Sequence, residues 1–134
     1  MDIEVARKRF TVDEYHRMGE AGVFHPEARL ELIEGEIIEM SPVGTPHIAA
    51  INRTNALFAA RFAGRAMVSV QNPVVLSDIT EPQPDLLLAP YRDDFYATER
   101  LSARHAILAV EVSDSTLRYD RDRKMPLYNA VRSA

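Results

Sequence analysis

Apolar residues recur along this chain with two different periods, and the switches between them mark out the elements. Thr11 followed by Glu14 is a capping-box pair, with Phe10 and Tyr15 at the staple positions on either side. This predicts a short helix over residues 12–18, ending near Gly19. Residues 29–33 and 36–40 are β-like runs separated only by Glu34 and Gly35, which reads as a tight hairpin. A two-residue turn there sets Ile33 opposite Glu36 and Glu31 opposite Ile38. Glu31, Ile33, Glu36, Ile38 and Met40 then share one face, which puts two acids among apolar neighbours.

After a Pro/Gly loop over 41–46, Thr45 is placed to cap a helix with Pro46 at its first position. That helix is expected over 46–62, with Ile48, Ile51, Phe58 and Phe62 on one stripe, Asn52 and Asn55 interrupting it and Gly64 ending it. Residues 67–76, 85–89 and 106–112 are strand candidates. The last two are short apolar runs with a carboxylate at one end, the pattern of central strands covered on both faces. A polar loop, 90–104, lies between them, and an amphipathic segment over 120–131 closes the chain. The order helix, hairpin, helix, three strands, helix predicts an α/β fold with a mixed sheet flanked by helices. No repeat or linker divides the chain, so residues 1–134 are expected to form one domain.

Composition narrows the function. With 46% hydrophobic and 27% charged residues the chain resembles an ordinary globular protein. It has no cysteine, which removes disulfides, thiolate metal sites and a cysteine nucleophile. The charged N-terminus lacks the apolar run of a secretory signal, and no stretch is long enough to span a bilayer, so a cytoplasmic protein without a membrane partner is expected. The formal net charge of −4 argues against strong non-specific binding to nucleic acid. It leaves room for a metal-dependent site, because a bound divalent cation reverses the local sign.

The strongest cluster of candidate residues is Gln83-Pro84-Asp85 ahead of Leu86-Leu87-Leu88, then Val110-Glu111-Val112, then Lys124 on the last helix. Carboxylates at the ends of neighbouring strands can converge on one cation, and hard oxygen ligands suit Mg²⁺. Such an ion polarises a phosphate and acidifies a water, while a nearby lysine orients that water or stabilises the transition state. Other chemistries fit poorly. Ser113, Asp114 and Ser115 lack a nucleophile elbow, the five glycines form no phosphate loop, and His16, His25, His47 and His105 have no zinc-site spacing. The stretch 118–124 is Arg-rich but also holds Asp120 and Asp122, as a solvated helix start would.

Further residues extend the pattern: Arg29-Leu30-Glu31-Leu32-Ile33-Glu34-Gly35-Glu36, Met40-Ser41-Pro42, His47, Ser113, Ser115-Thr116, Asp120 and Lys124-Met125-Pro126-Leu127-Tyr128. Taken together, in this order and spacing, they resemble the Uma-type restriction endonuclease family of the PD-(D/E)XK nuclease superfamily. The resemblance implies a restriction-endonuclease-like fold and an endonuclease that uses Mg²⁺ or Mn²⁺ on DNA, working as a homodimer. It implies Asp85 and Glu111 as metal-binding carboxylates and the Val112 carbonyl as a further ligand. The lysine usually found two residues after the glutamate is replaced by Ser113, and Lys124 is its implied migrated substitute. An acid from the hairpin, Glu31 or Glu36, and His47 complete the implied catalytic rim. Family members continue past the lysine helix into a Gly turn and a further strand. The chain is therefore expected to lack the final strands and to leave a sheet edge prone to self-association.

Each residue has a structural competitor. Asp85 could be a turn residue, Glu111 could face solvent from a half-exposed strand, Lys124 could lie on the surface, and His47 could cap or pack. Asp120 reads as a helix cap. The rival to the nuclease is an inactive nuclease-like remnant or interaction module.

Overall fold

The protein is described by a computed structural model over residues 4–113 and 119–132. Asp114, Ser115, Thr116 and Arg118 lie outside the described residues. The first helix, α1, is Val12–Glu20, and its capping box is complete. Glu14 N–H donates to Thr11 Oγ1 at 3.1 Å while Thr11 N–H donates to Glu14 Oε1 at 3.0 Å. Val12 is the buried residue of this helix.

Strands β1 (Leu30–Ile33) and β2 (Glu36–Glu39) form an antiparallel hairpin with the expected register, Ile33 opposite Glu36 and Glu31 opposite Ile38. Its turn residues, Glu34 and Gly35, have φ of 49° and 80°, as a type I′ turn requires. Burial does not follow the face symmetrically. β1 runs against the segment at Glu81, exchanging two backbone hydrogen bonds through Leu32, so both of its edges are paired and it lies inside, with Glu31, Leu32 and Ile33 all buried. Glu31 is therefore buried, whereas Glu36 at the turn is exposed.

Helix α2 spans Thr45–Phe62. Its N-cap is Gly44 and not Thr45, and no side chain caps it, because the helix starts one residue earlier than the Thr-Pro pair suggests. The expected stripe is shallow. Ile51 is buried but Ile48 is exposed.

The second sheet has the order β3-β4-β5, from β3 (Ala66–Val70), β4 (Leu86–Pro90) and β5 (Leu108–Val110), with antiparallel ladders. Both sheets are antiparallel where the sequence predicts a mixed one, and the parallel pairing is an isolated bridge between Val75 and Ser102, outside the named strands. β3 stops earlier than the apolar run predicts because Gln71 turns to a φ of 55°. β4 is central, and Leu86 to Ala89 are all buried. β5 differs from the expectation: it is a three-residue edge strand, and Ile107 and Leu108 are exposed at its start.

The 90–104 loop is tied down by Arg92, whose guanidinium holds Asp94 at 2.7 and 2.9 Å and Glu99 at 2.8 Å. Asp120–Lys124 forms a π-helical turn that runs straight into α3, Met125–Arg132. Pro126 has no N–H to give to the carbonyl four residues back, so the helix enters through a wider turn, in which Met125 N–H reaches Asp120. Tyr128 of α3 packs with Leu87, Ala89, Val74 and Leu101. The helix is thereby seated on one face of the sheet. Among the described residues no helix is long and apolar enough to cross a membrane.

Candidate active site

Where β4 begins and β5 ends, the backbone brings two acids together. Asp85 precedes β4 and is 6% exposed, and its carbonyl accepts Gln71 N–H at 3.0 Å, continuing the β3–β4 pairing by one step. Its carboxylate accepts Val112 N–H on Oδ2 at 2.7 Å, which ties the start of β4 to the end of β5. Oδ1 faces His47 Nε2 of α2 at 3.3 Å and Gln71 Nε2 at 3.5 Å. The Asp85 carboxylate is thus a fixed acceptor and not a turn decoration.

Glu111 follows β5 with its side chain 7% exposed. Its Oε1 lies 2.5 Å from Lys124 Nζ and accepts the Tyr128 hydroxyl at 3.0 Å. Lys124 is buried, and its Nζ also donates to Glu31 Oε1 at 2.8 Å. Glu31 in turn accepts Gln83 N–H at 2.8 Å. One ammonium therefore bridges the hairpin acid and the β5 acid, and two elements far apart in sequence are clamped to the last helix. The widened π turn ends at Lys124 and delivers it to this position.

Glu31, Asp85, Glu111, the Val112 segment, His47 and Lys124 all line one cavity of about 260 Å³. Glu36 does not. It is exposed beside Arg123, at 3.7 Å, so of the two candidate acids Glu31 and Glu36 it is Glu31 that reaches the cavity, where Glu39 joins it at the wall. Asp120 also lines it and is buried, but not as a helix cap: the cap is Tyr119, and Asp120 accepts the Ser113 hydroxyl at 2.6 Å.

Acids outnumber cations in the cavity wall, where Glu31, Glu39, Asp85, Glu111 and Asp120 face Arg29 and the buried Lys124. Burial pushes the Glu111 carboxyl up to about 7; Lys124 opposes this by charge and hydrogen bond, and the Asp85 and Glu31 charges add to it. Burial alone would lower Lys124, but the charges of Glu111 and Glu31 and its hydrogen bonds to both outweigh that and hold it above the usual lysine value. Tyr128 is raised as well, by burial first and then by Glu111.

Two features were not expected from the sequence. Tyr128 acts as a donor to Glu111, which its position four residues after Lys124, on the same helix face, could have suggested. Tyr119 lines the cavity, and its buried hydroxyl has no hydrogen-bond partner among the described residues.

Among the described residues no three carboxylate or imidazole side chains converge closely enough to enclose an ion unaided. The donor chemistry nevertheless fits a hard cation, since the Asp85 and Glu111 carboxylates and Val112 border the same cavity, and Mg²⁺ keeps several of its waters. The family model described as Uma2, putative restriction endonuclease, matches residues 12–133. No curated protein matches the chain.

Proposed function

The chain belongs to the Uma2 family, within the restriction-endonuclease-like superfamily, and from that premise we propose that it is a metal-dependent endonuclease that hydrolyses phosphodiester bonds in DNA. The observation that supports this reading best is the bridging of Glu31 and Glu111 by Lys124 beside the anchored Asp85. Asp85, Glu111 and the Val112 carbonyl would hold Mg²⁺ or Mn²⁺. Such an ion, when bound, supplies charge neutralisation at the phosphate and a more acidic water.

The chain's own residues do the rest. Val112 N–H and His47 keep the Asp85 carboxylate aimed into the cavity. Tyr128 fixes one oxygen of Glu111 and leaves the other to face a ligand. Lys124, held protonated by its two acids, donates from Nζ to an incoming water or phosphate oxygen and does not act as a base. Glu31 is a positioning residue for Lys124. Two such sites in a homodimer would cut both strands of a duplex in one encounter, so a homodimer is part of the proposal.

The test is cleavage of duplex DNA with Mg²⁺ or Mn²⁺ by the folded chain and by Asp85→Asn, Glu111→Gln and Lys124→Met, with sedimentation to give the assembly. Each substitution is expected to lower the rate by on the order of 10²- to 10³-fold. Full activity in the Asp85 and Glu111 variants would sink the site. A folded wild-type chain that cuts nothing with either metal would favour an interaction module instead.

A further inference from the structure

A second cavity, of about 460 Å³, lies along the open edge of β3, and no residue lines both cavities. Its lining combines three kinds of surface. The first is a buried polar pair that the proposed nuclease site does not use: Glu81, with its side chain 2% exposed, receives His16 Nε2 on both oxygens at 2.8 and 2.9 Å. That leaves His16 Nδ1 without a partner among the described residues. Close by, Asn72 Nδ2 donates to Ser69 Oγ at 2.8 Å, and the Asn72 amide oxygen is unused. The second surface is apolar, from Met67, Val75 and Leu101.

The third is an aromatic ring held out in solvent. Phe95 is 63% exposed at the cavity wall. It and Tyr96 both adopt left-handed backbone, with φ of 51° and 60°, which side chains of this size rarely do. The loop is over-determined around them. Arg92, fixed by Asp94 and Glu99, sits 4.5 Å from the centre of the Tyr96 ring, and the Tyr96 hydroxyl donates to Pro90 at 2.6 Å. Phe95 meets Tyr91 edge-on, with 5.8 Å between ring centres, but Tyr91 is itself exposed, so burial in the core does not explain this arrangement. Arg100, also in the wall, is exposed and makes no ion pair among the described residues.

A purely apolar ligand would strip water from His16 and Asn72 without replacing its hydrogen bonds. A simple anion would make no use of Phe95 or the apolar wall. A planar heteroaromatic ring with a hydrogen-bonding edge and one attached anion uses all three surfaces. We propose that this cavity is a nucleotide pocket, in which a nucleobase stacks on Phe95, meets Asn72 and His16 along its edge, and sets its phosphate against Arg100. The occupant is either a free nucleoside monophosphate or an unpaired nucleotide of a strand.

The experiment is calorimetric titration of the full chain, in chelator, with each deoxynucleoside 5′-monophosphate, with the corresponding nucleosides and with a short oligothymidylate. Phe95→Asn removes the ring while tolerating left-handed backbone, and Arg100→Ala removes an exposed cation, so both variants keep the fold. Wild type is expected to bind at least one monophosphate. Phe95→Asn should weaken it about tenfold or more. Arg100→Ala should weaken the monophosphate but not the nucleoside, and Asp85→Asn should leave both unchanged. Tighter binding of the oligonucleotide with the same Phe95 dependence assigns the pocket to a strand; weaker or equal binding assigns it to the free nucleotide. The proposal is overturned if wild type binds none of these probes, if Phe95→Asn binds as well as wild type, or if Asp85→Asn abolishes binding. Nucleosides and monophosphates carry no phosphodiester bond to cut, so these outcomes are independent of whether the chain is a nuclease.

Discussion

Replacing Glu111 by Gln should stabilise the metal-free protein above neutral pH, although it removes one partner of a buried ion pair. The folded-state value of Glu111 is raised to about 7 from 4.5. A carboxyl raised on folding contributes stability that is fully present below its unfolded value and is lost as pH rises through its folded value. Ionising Glu111 in the closed site therefore costs up to roughly 3 kcal/mol by about pH 8. Its side chain is 7% exposed, so solvent screens little of this. Glutamine mimics the neutral acid, and its amide oxygen still accepts from Tyr128 and Lys124, while Lys124 keeps Glu31 as its counter-charge. For a chain of this size the gain corresponds to a rise in Tm of about 10 °C. Urea or thermal unfolding of both proteins in chelator, at about pH 5 and about pH 8, reads the effect as a difference of differences, in which the other titrating groups cancel. The variant should match wild type at the lower pH and exceed it at the higher one. An equal offset at both pH values, or a less stable variant at the higher one, would refute the reasoning. Saturating Mg²⁺ should stabilise wild type and not the variant if Glu111 is a ligand.

Other substitutions probe the same network and its frame. Tyr119→Phe deletes a buried hydroxyl that lacks a partner among the described residues, and should raise unfolding stability by about 1 kcal/mol; a loss in urea denaturation would show that the hydroxyl is satisfied in solution. Lys124→Met leaves Glu31 and Glu111 facing each other without their cation, so it should destabilise by roughly 3–5 kcal/mol near pH 8 and by much less near pH 5, where Glu111 takes up a proton. A pH-independent loss would contradict that account. Gly35→Ala forces a side chain into φ +80° and places its Cβ 2.5 Å from Arg9 Cβ and 2.8 Å from Arg9 Cα. It should cost at least about 2 kcal/mol, read by thermal unfolding, and a neutral result would mean that the 4–10 segment does not pack there.

Local signals in the sequence were legible wherever the chemistry is local. The capping box at Thr11 and Glu14 and the Glu34-Gly35 turn with its register are decided by neighbouring residues, and they appear in the fold as the sequence predicts. Tertiary choices were less legible. Pattern alone left Glu31 and Glu36 equivalent, because both lie on the same hairpin face. What separates them is the backbone pairing of Leu32 with Glu81, which buries the β1 side of the hairpin and brings Glu31 to Lys124. The apolar run 106–112 reads as a covered central strand, yet only three of its residues pair and β5 lies at the edge. Periodicity counts apolar residues and does not see which neighbour is present.

On the proposed reading, Lys124 takes the place of a lysine two residues after Glu111, and the geometry around it says how. Two residues after Glu111 the chain has Ser113, whose hydroxyl is committed to Asp120. The ammonium comes instead from the end of a π turn, and that turn exists because Pro126 cannot supply the N–H that an α-helical turn would use. Tyr128 lies four residues further on the same face, so one helix delivers both the cation and the donor that hold Glu111. Supplying the lysine from a helix also couples it to the hairpin through Glu31, 93 residues away in sequence. Any change that shifts α3 on the sheet, such as shortening Tyr128 within its cluster with Leu87 and Ala89, therefore acts on Lys124, Glu111 and Glu31 together. Losses in stability and in metal binding should accordingly track each other across Tyr128 variants and separate in Tyr119 variants, whose hydroxyl holds none of these three groups.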